Sequence, residues 1–323
     1  MSKPLLLMTR HFPPAVEARA ARDYATIPNA ADTAMTGAEI VSAARQAEPA
    51  GILCAAGDAM NAETIGQLPE SVRIISTFSV GTDHIDLAAA AARGIAVANT
   101  PDVLSVATAE IAMLLILTAA RRGGEAERML RARAWTGWAP TQLLGVTLER
   151  KVLGILGMGR IGQELAKMAR GFGMEIHYRN RRPLPDAEAQ GAVYHDSDES
   201  FLAAIDVLSM HIPGGEATRR WLNAARIAQL KRGAIVVNTG RGSTVDDEAL
   251  CAALESGHLR AAGLDVFDGE PRIYEGYYTA PNVVLLPHLG SATVETRDAM
   301  GFRALDNLDA VLLRGEPPPH RVG

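Results

Sequence analysis

Cysteine is nearly absent from these 323 residues: Cys54 and Cys251 are the only two, too few for a disulfide framework and without metal-ligand spacing. They read as small buried apolar residues of a reducing compartment. Basic excess is lacking too. Thirty-two Lys and Arg against 37 Asp and Glu leave a net charge of −5, which argues against nucleic acid as the main partner. No hydrophobic run is long: residues 5–8 are far short of a secretory signal core and are stopped by Arg10 and His11. Residues 111–120, between Glu110 and Arg121, make about half a bilayer span. They read as a core or interface helix, so no membrane partner is expected and the cytoplasm is the expected residence. No His, Cys and Asp group has ligand spacing, so no metal is expected.

What is present is an ordinary globular composition, 48% hydrophobic and 21% charged, at a length that suggests about two domains. Apolar strand-like runs alternate with helical ones. Strands are expected at 5–9, 51–55, 72–78 and 95–98, with helices at 14–24, 37–46 and 87–92. This alternation makes parallel α/β layers, and the first hundred residues form a doubly wound domain without a glycine fingerprint. After the turn Asn99-Thr100-Pro101-Asp102, helices are expected at 108–121 and 125–133. Beyond residue 182 the alternation resumes, with strands at 193–195, 207–212, 234–238, 262–267 and 283–286. Helices are expected at 199–204, 220–230 and 246–254.

The second half opens with the stretch 151–182, KVLGILGMGRIGQELAKMARGFGMEIHYRNRR. A buried strand at 152–156 runs into Gly157, Gly159 and Gly162, then a helix at 163–170 and a second strand at 174–178. That is the order a dinucleotide site requires. Gly157 permits the sharp turn, Gly159 lets the backbone approach a pyrophosphate, and Gly162 allows close packing of helix on sheet. The phosphates would rest on the helix N-terminus. An NAD site usually carries Asp or Glu about twenty residues past the first glycine. Arg179, Asn180, Arg181 and Arg182 stand here instead. Guanidinium groups would pair with a 2′-phosphate, and Asn180 could still bind the ribose. Two such contacts at roughly 1.5–3 kcal/mol each favour NADPH over NADH by roughly a hundredfold or more.

Ser79-Val80-Gly81-Thr82 follows a strand of the first domain, where backbone N–H groups could meet a carboxylate. An ordinary strand-to-helix turn would leave the same pattern. In the second domain Arg241, Glu270 and His288 each follow one of three successive strands. Parallel strands bring such loops to one edge, the edge that carries the glycine turn. The residue types suit reduction of a 2-keto acid: Arg241 holds the carboxylate and carbonyl, His288 protonates that oxygen, and Glu270 holds the imidazole. Trp135 and Trp138, in a short polar segment, are either anchors for a partner subunit or core residues. His84, His177, His195, His211 and His258 read as structural.

The segments LGILGMGRIG, NTGRGSTVDDEAL, AGLDVFDGEP and PHLGSAT resemble the D-isomer-specific 2-hydroxyacid dehydrogenase family along nearly the whole chain. The resemblance implies two doubly wound α/β domains, a Rossmann cofactor domain (101–287) inserted into a flavodoxin-like substrate domain (1–100 and 288–323), with a cleft that closes on the ligands. It implies catalytic roles for Arg241, Glu270 and His288, and substrate binding by Val80 and Gly81. It carries cofactor contacts to Arg160, Ile161, Arg179 to Arg182, Pro213, Thr239, Asp265 and Gly290. It implies a homodimer, with Trp138 placed where relatives send a tryptophan into the neighbouring subunit's pocket. The arginine cluster looks like that of NADPH-dependent glyoxylate/hydroxypyruvate reductases. A reductase of longer 2-keto acids such as 2-ketogluconate, and a dinucleotide-sensing corepressor-like protein, are the alternatives.

Overall fold

The computed structural model describes residues 3–323. The chain divides into two compact units, Met1–Leu104 with Ala292–Gly323 and Ser105–Ser291. The crossings at 104/105 and 291/292 fall later than the 100/101 and 287/288 read from the sequence. At the second crossing the cause is visible: Leu289 and Gly290 donate their N–H groups to Asp265, which keeps them with the second unit.

In the first unit the strands β1 (Leu5–Met8), β2 (Ala25–Pro28), β3 (Gly51–Cys54), β4 (Ile74–Thr77) and β5 (Ala96–Ala98) form one parallel sheet in the order β2-β1-β3-β4-β5. Alternate side chains face opposite ways along a strand, so one sheet feeds two cores. Leu6, Met8, Leu53 and Ile74 pack with Val16 and Ala20 of helix Pro14–Asp23 and with Met300, Ala304 and Leu308 of helix Val294–Asp309. Leu7, Ile52, Cys54 and Ile75 pack with Ile40, Ile65 and Ala90 from the helices on the other face. Gly301 is required where these elements meet, because a Cβ there would lie 2.2 Å from the Val16 side chain.

The second unit carries β6 (Val152–Leu156), β7 (Glu175–Arg179), β8 (Val193–Tyr194), β9 (Val207–Met210), β10 (Ala234–Asn238), β11 (Leu259–Leu264) and β12 (Val283–Leu285). They form a parallel sheet in the order β12-β11-β10-β9-β6-β7-β8. Leu153, Ile155, Tyr178 and Val237 bury against the helices Ser105–Ala120 and Arg160–Gly171 on one face. Leu208, Val236 and Leu264 pack with Phe201, Leu250 and Leu254 on the other. The strand order reverses between β6 and β9, and the glycine turn follows β6. That is the crevice where open α/β sheets bind their ligands.

Several elements depart from the sequence reading. Strand β2 is a four-residue edge strand ending in Pro28, too short and too polar to register as an apolar run. Helices Ala62–Gln67 and Val294–Asp309 were not expected; the first is six residues long and contains Gly66. The helix expected over 220–230 shrinks to Ala224–Ile227, capped by Asn223. Arg220, in a turn at φ +48°, and Leu222 instead donate their N–H groups to the Ser243 and Thr244 carbonyls, which ties this segment to the loop after β10. Strand β11 ends at Leu264, so Asp265 directly follows it.

Candidate active site

Gly157 lies at φ +86°, and a Cβ there would stand 3.0 Å from the His211 carbonyl oxygen, so turn and neighbouring loop both require glycine. A Cβ on Gly162 would meet Ile155 at 2.9 Å, the close helix-to-sheet approach expected. Nothing lies within 4 Å of where a Gly159 Cβ would be, so the backbone there is open to a ligand. Gly159 begins the helix without a side-chain cap, although Thr36, Asn61, Asp86, Ser197, Asp246 and Thr293 each cap theirs. The first N–H groups of this helix are thus presented to an anion, and the residues fit a dinucleotide pyrophosphate. Arg160 is exposed beside them, and Ile161 packs partly into the core.

The basic cluster separates into different jobs. Arg179 Nε donates to Asp198 Oδ1 at 3.0 Å, a carboxylate that Arg226 also holds. Asn180 turns its carboxamide onto the glycine turn, accepting from Met158 N at 2.7 Å. Arg181 and Arg182 are exposed, with no ion-pair partner among the described residues.

Arg241, Glu270 and His288 follow β10, β11 and β12, which are adjacent in the sheet. Asn238, fully buried at the end of β10, accepts from Gly240 N and donates to the Arg241 carbonyl, fixing the turn. Gly242 lies directly on the Phe267–Asp268 backbone: a Cβ there would fall 1.8 Å from the Phe267 carbonyl carbon. This contact sets the arginine loop on the loop that ends in Glu270. Glu270 Oε1 accepts from Phe267 N at 2.8 Å, and Oε2 meets His288 Nδ1 at 2.7 Å. Burial raises the Glu270 pKa, but the His288 and Phe267 hydrogen bonds and the charges of His288 and Arg241 outweigh it and leave it below the usual carboxylate value. A carboxylate only accepts, so Nδ1 carries a proton and Nε2 is the atom that gains or gives one. The His288 side chain is 47% exposed, and no described residue bonds its Nε2.

His288 itself is at φ +57° and is held by Asp265, whose carbonyl accepts from His288 N at 3.0 Å. The Asp265 carboxylate accepts from Leu289 N and Gly290 N at 2.6 and 2.8 Å, and burial pushes its pKa up despite those bonds. Gly290 is buried under Asp265 and Thr108. In this structure Asp265 and Gly290 therefore brace the histidine loop. Thr239 shares a hydrogen bond with His211, and Pro213 is exposed two residues further on. Burial pushes the His211 pKa down to about 4.

In the first unit, residues 79–82 leave β4 with their carbonyls tied back: Ser79 O accepts from Thr100 N at 2.9 Å, Val80 O from Asn99 Nδ2 at 2.8 Å, Gly81 O from Ser79 Oγ at 2.7 Å and Thr82 O from Ile85 N at 2.9 Å. The N–H groups of Val80, Gly81 and Thr82 have no acceptor among the described residues. Trp138 is 80% exposed, outside any core of this chain. Of the residues that sequence reasoning missed, Asn238 was the most visible, a carboxamide closing an otherwise apolar strand.

Residues 113–290 match the family model for the D-isomer specific 2-hydroxyacid dehydrogenase NAD binding domain. The chain belongs to that family. A glycerate dehydrogenase of Hyphomicrobium methylovorum is 46% identical over 313 residues, covering 96% of this chain and 97% of the relative. A glyoxylate/hydroxypyruvate reductase B of Erwinia tasmaniensis is 44% identical over 83% of each chain. The solved NADPH-dependent glyoxylate/hydroxypyruvate reductase of Sinorhizobium meliloti, in complex with NADP and malonate, superposes with a TM-score of 0.88 at 35% identity. It covers all of this chain and 97% of its own. This D-2-hydroxyacid dehydrogenase is thus an oxidoreductase using a nicotinamide dinucleotide, and the corepressor-like reading is set aside. Among the described residues no His, Cys, Asp and Glu group could hold a metal, and no helix is long and apolar enough to cross a membrane.

Proposed function

We propose that this dehydrogenase reduces small 2-keto acids, glyoxylate and hydroxypyruvate foremost, to the D-2-hydroxy acids, with NADPH preferred over NADH. The observation that carries the chemistry is the 2.7 Å contact of His288 Nδ1 with Glu270, close enough to Arg241 for its charge to act on that carboxylate. The relatives named for glycerate, glyoxylate and hydroxypyruvate support acids of two or three carbons, because reduction of hydroxypyruvate yields glycerate. Exposed Arg181 and Arg182 support the 2′-phosphate.

The reduced nicotinamide, when bound, supplies hydride to the carbonyl carbon. Arg241 holds the substrate carboxylate and draws charge onto the carbonyl oxygen. His288 delivers its Nε2 proton to that oxygen, and Glu270 fixes the tautomer and steadies the charged ring. In the oxidative direction neutral Nε2 takes the proton back. Val80 and Gly81 hold the carboxylate through their N–H groups. Cofactor contacts are assigned to Gly157, Gly159, Arg160, Ile161, Gly162, Arg181, Arg182, Pro213, Thr239, Asp265 and Gly290. Exposed Trp138 supports a homodimer in which it reaches the partner's pocket.

Steady-state kinetics on glyoxylate, hydroxypyruvate, pyruvate and 2-ketogluconate with both dinucleotides test the reading. Highest kcat/KM for the first two with NADPH is expected. Fastest turnover of 2-ketogluconate would overturn the substrate assignment, and equal kcat/KM with NADH the cofactor assignment.

A further inference from the structure

We propose that His84 is a positioning residue for substrate binding, acting through Thr77 and Ser79 on the peptide between Gly81 and Thr82. The proposal rests on the assignment of this loop to the substrate carboxylate. Three contacts carry it. Ser79 Oγ donates to Gly81 O at 2.7 Å, Thr77 Oγ1 lies 2.8 Å from Ser79 Oγ, and His84 Nε2 lies 3.0 Å from Thr77 Oγ1.

Their protons fall in one order. A carbonyl only accepts, so the single Ser79 hydroxyl proton goes to Gly81. The contact between the hydroxyls must then use the Thr77 proton, which leaves Thr77 only as an acceptor toward His84. His84 Nε2 therefore carries hydrogen, and the chain runs one way, from imidazole to loop. Thr77 and Ser79 are both buried, so a missing donor leaves the next hydroxyl to satisfy itself by turning away from the loop.

A trans peptide is planar, and its C=O and N–H point in opposite directions. Fixing a carbonyl therefore aims the next residue's N–H. Thr100 holds Ser79 O and so aims Val80 N–H; Asn99 holds Val80 O and aims Gly81 N–H. The chain from His84 holds Gly81 O and aims Thr82 N–H. Gly81 is the residue at which a peptide rotates most readily. Without this anchor its carbonyl could swing toward a bound anion. Thr82 is thus assigned as the third carboxylate donor, and His84 as the residue that keeps it turned the right way.

Kinetics of Thr77→Val and His84→Leu, each paired with a donor-retaining variant, Thr77→Ser and His84→Gln, test this with the best 2-keto acid. The expected result is a rise of about tenfold in the keto-acid KM for the first pair, the cost of one mispositioned hydrogen bond. The dinucleotide KM stays within twofold, and Thr77→Ser and His84→Gln restore the keto-acid KM. An unchanged KM in Thr77→Val and His84→Leu overturns the proposal. So does a loss that appears equally in kcat and dinucleotide KM and is not restored, because that marks general loosening. Val80→Pro, which deletes one loop N–H outright, separates the two levels, with melting temperature checking its fold. A folded Val80→Pro enzyme with unaltered KM removes the carboxylate assignment itself. If Val80→Pro raises KM and His84→Leu does not, only the positioning chain fails.

Discussion

Replacing Arg181 and Arg182 together by Ala should remove most of the proposed preference for NADPH. Both are exposed, whereas Arg179 is engaged by Asp198 at 3.0 Å and Asn180 by the glycine turn. An exposed guanidinium on a phosphate contributes about 1 kcal/mol once solvent screening is allowed for. Two such groups give about 2 kcal/mol, or about thirtyfold in kcat/KM. The assay is the ratio of kcat/KM for NADPH to that for NADH, at saturating keto acid. In the double variant the ratio should fall about thirtyfold through the NADPH value alone, with NADH within about twofold. Raising salt in the parent should compress the ratio as well, since exposed charges are screened. Arg179→Ala alone should move it less than about threefold. A double variant that keeps its NADPH preference, or an Arg179→Ala variant that loses it, would refute the division of labour among these arginines.

Glu270→Gln leaves a neutral acceptor on His288, and kcat should fall about ten- to a hundredfold with the dinucleotide KM unchanged. Because the Glu270 pKa is lowered on folding, its ionised form stabilises the protein above the ordinary carboxylate range and that share is lost on acidification. Urea melts at pH 6 and pH 3.5 should show the variant losing less stability than the parent. His211, pushed down to about 4, opposes protonation that the unfolded chain accepts near its ordinary value. Stability from this group is complete above about pH 6.5 and falls by about 2 kcal/mol between pH 7 and 5. His211→Gln should remove that slope in denaturant titrations. Gly159→Val should raise the dinucleotide KM more than about tenfold without lowering the melting temperature, because its side chain enters open space. Gly157→Ala should lower that temperature, because its Cβ meets the His211 carbonyl.

The legible parts of this chain were those in which one residue type satisfies one physical demand. The three glycines after β6 and the apolar runs of β6 and β10 could be read directly, and so could the convergence of Arg241, Glu270 and His288 on neighbouring strand ends. What escaped depended on partners distant in sequence. The ion pair of Arg179 with Asp198 could not be read, because Asp198 gives no sign of it until β7 is folded beside the helix Asp198–Ala204. His84 read as structural because its link to Gly81 passes through two hydroxyls on the other side of it. Helix Val294–Asp309 was missed because its buried positions Met300, Ala304 and Leu308 are interrupted by Gly301, whose value lies in contact with Val16.

The seating of Gly242 on the Phe267–Asp268 main chain joins the loops that carry Arg241 and Glu270 into a single moulding. Neither can be lengthened, exchanged or redecorated alone without shifting the other. An engineer seeking new acids under the proposed assignment would therefore do better to leave this junction untouched and vary the turn that begins at Ser79.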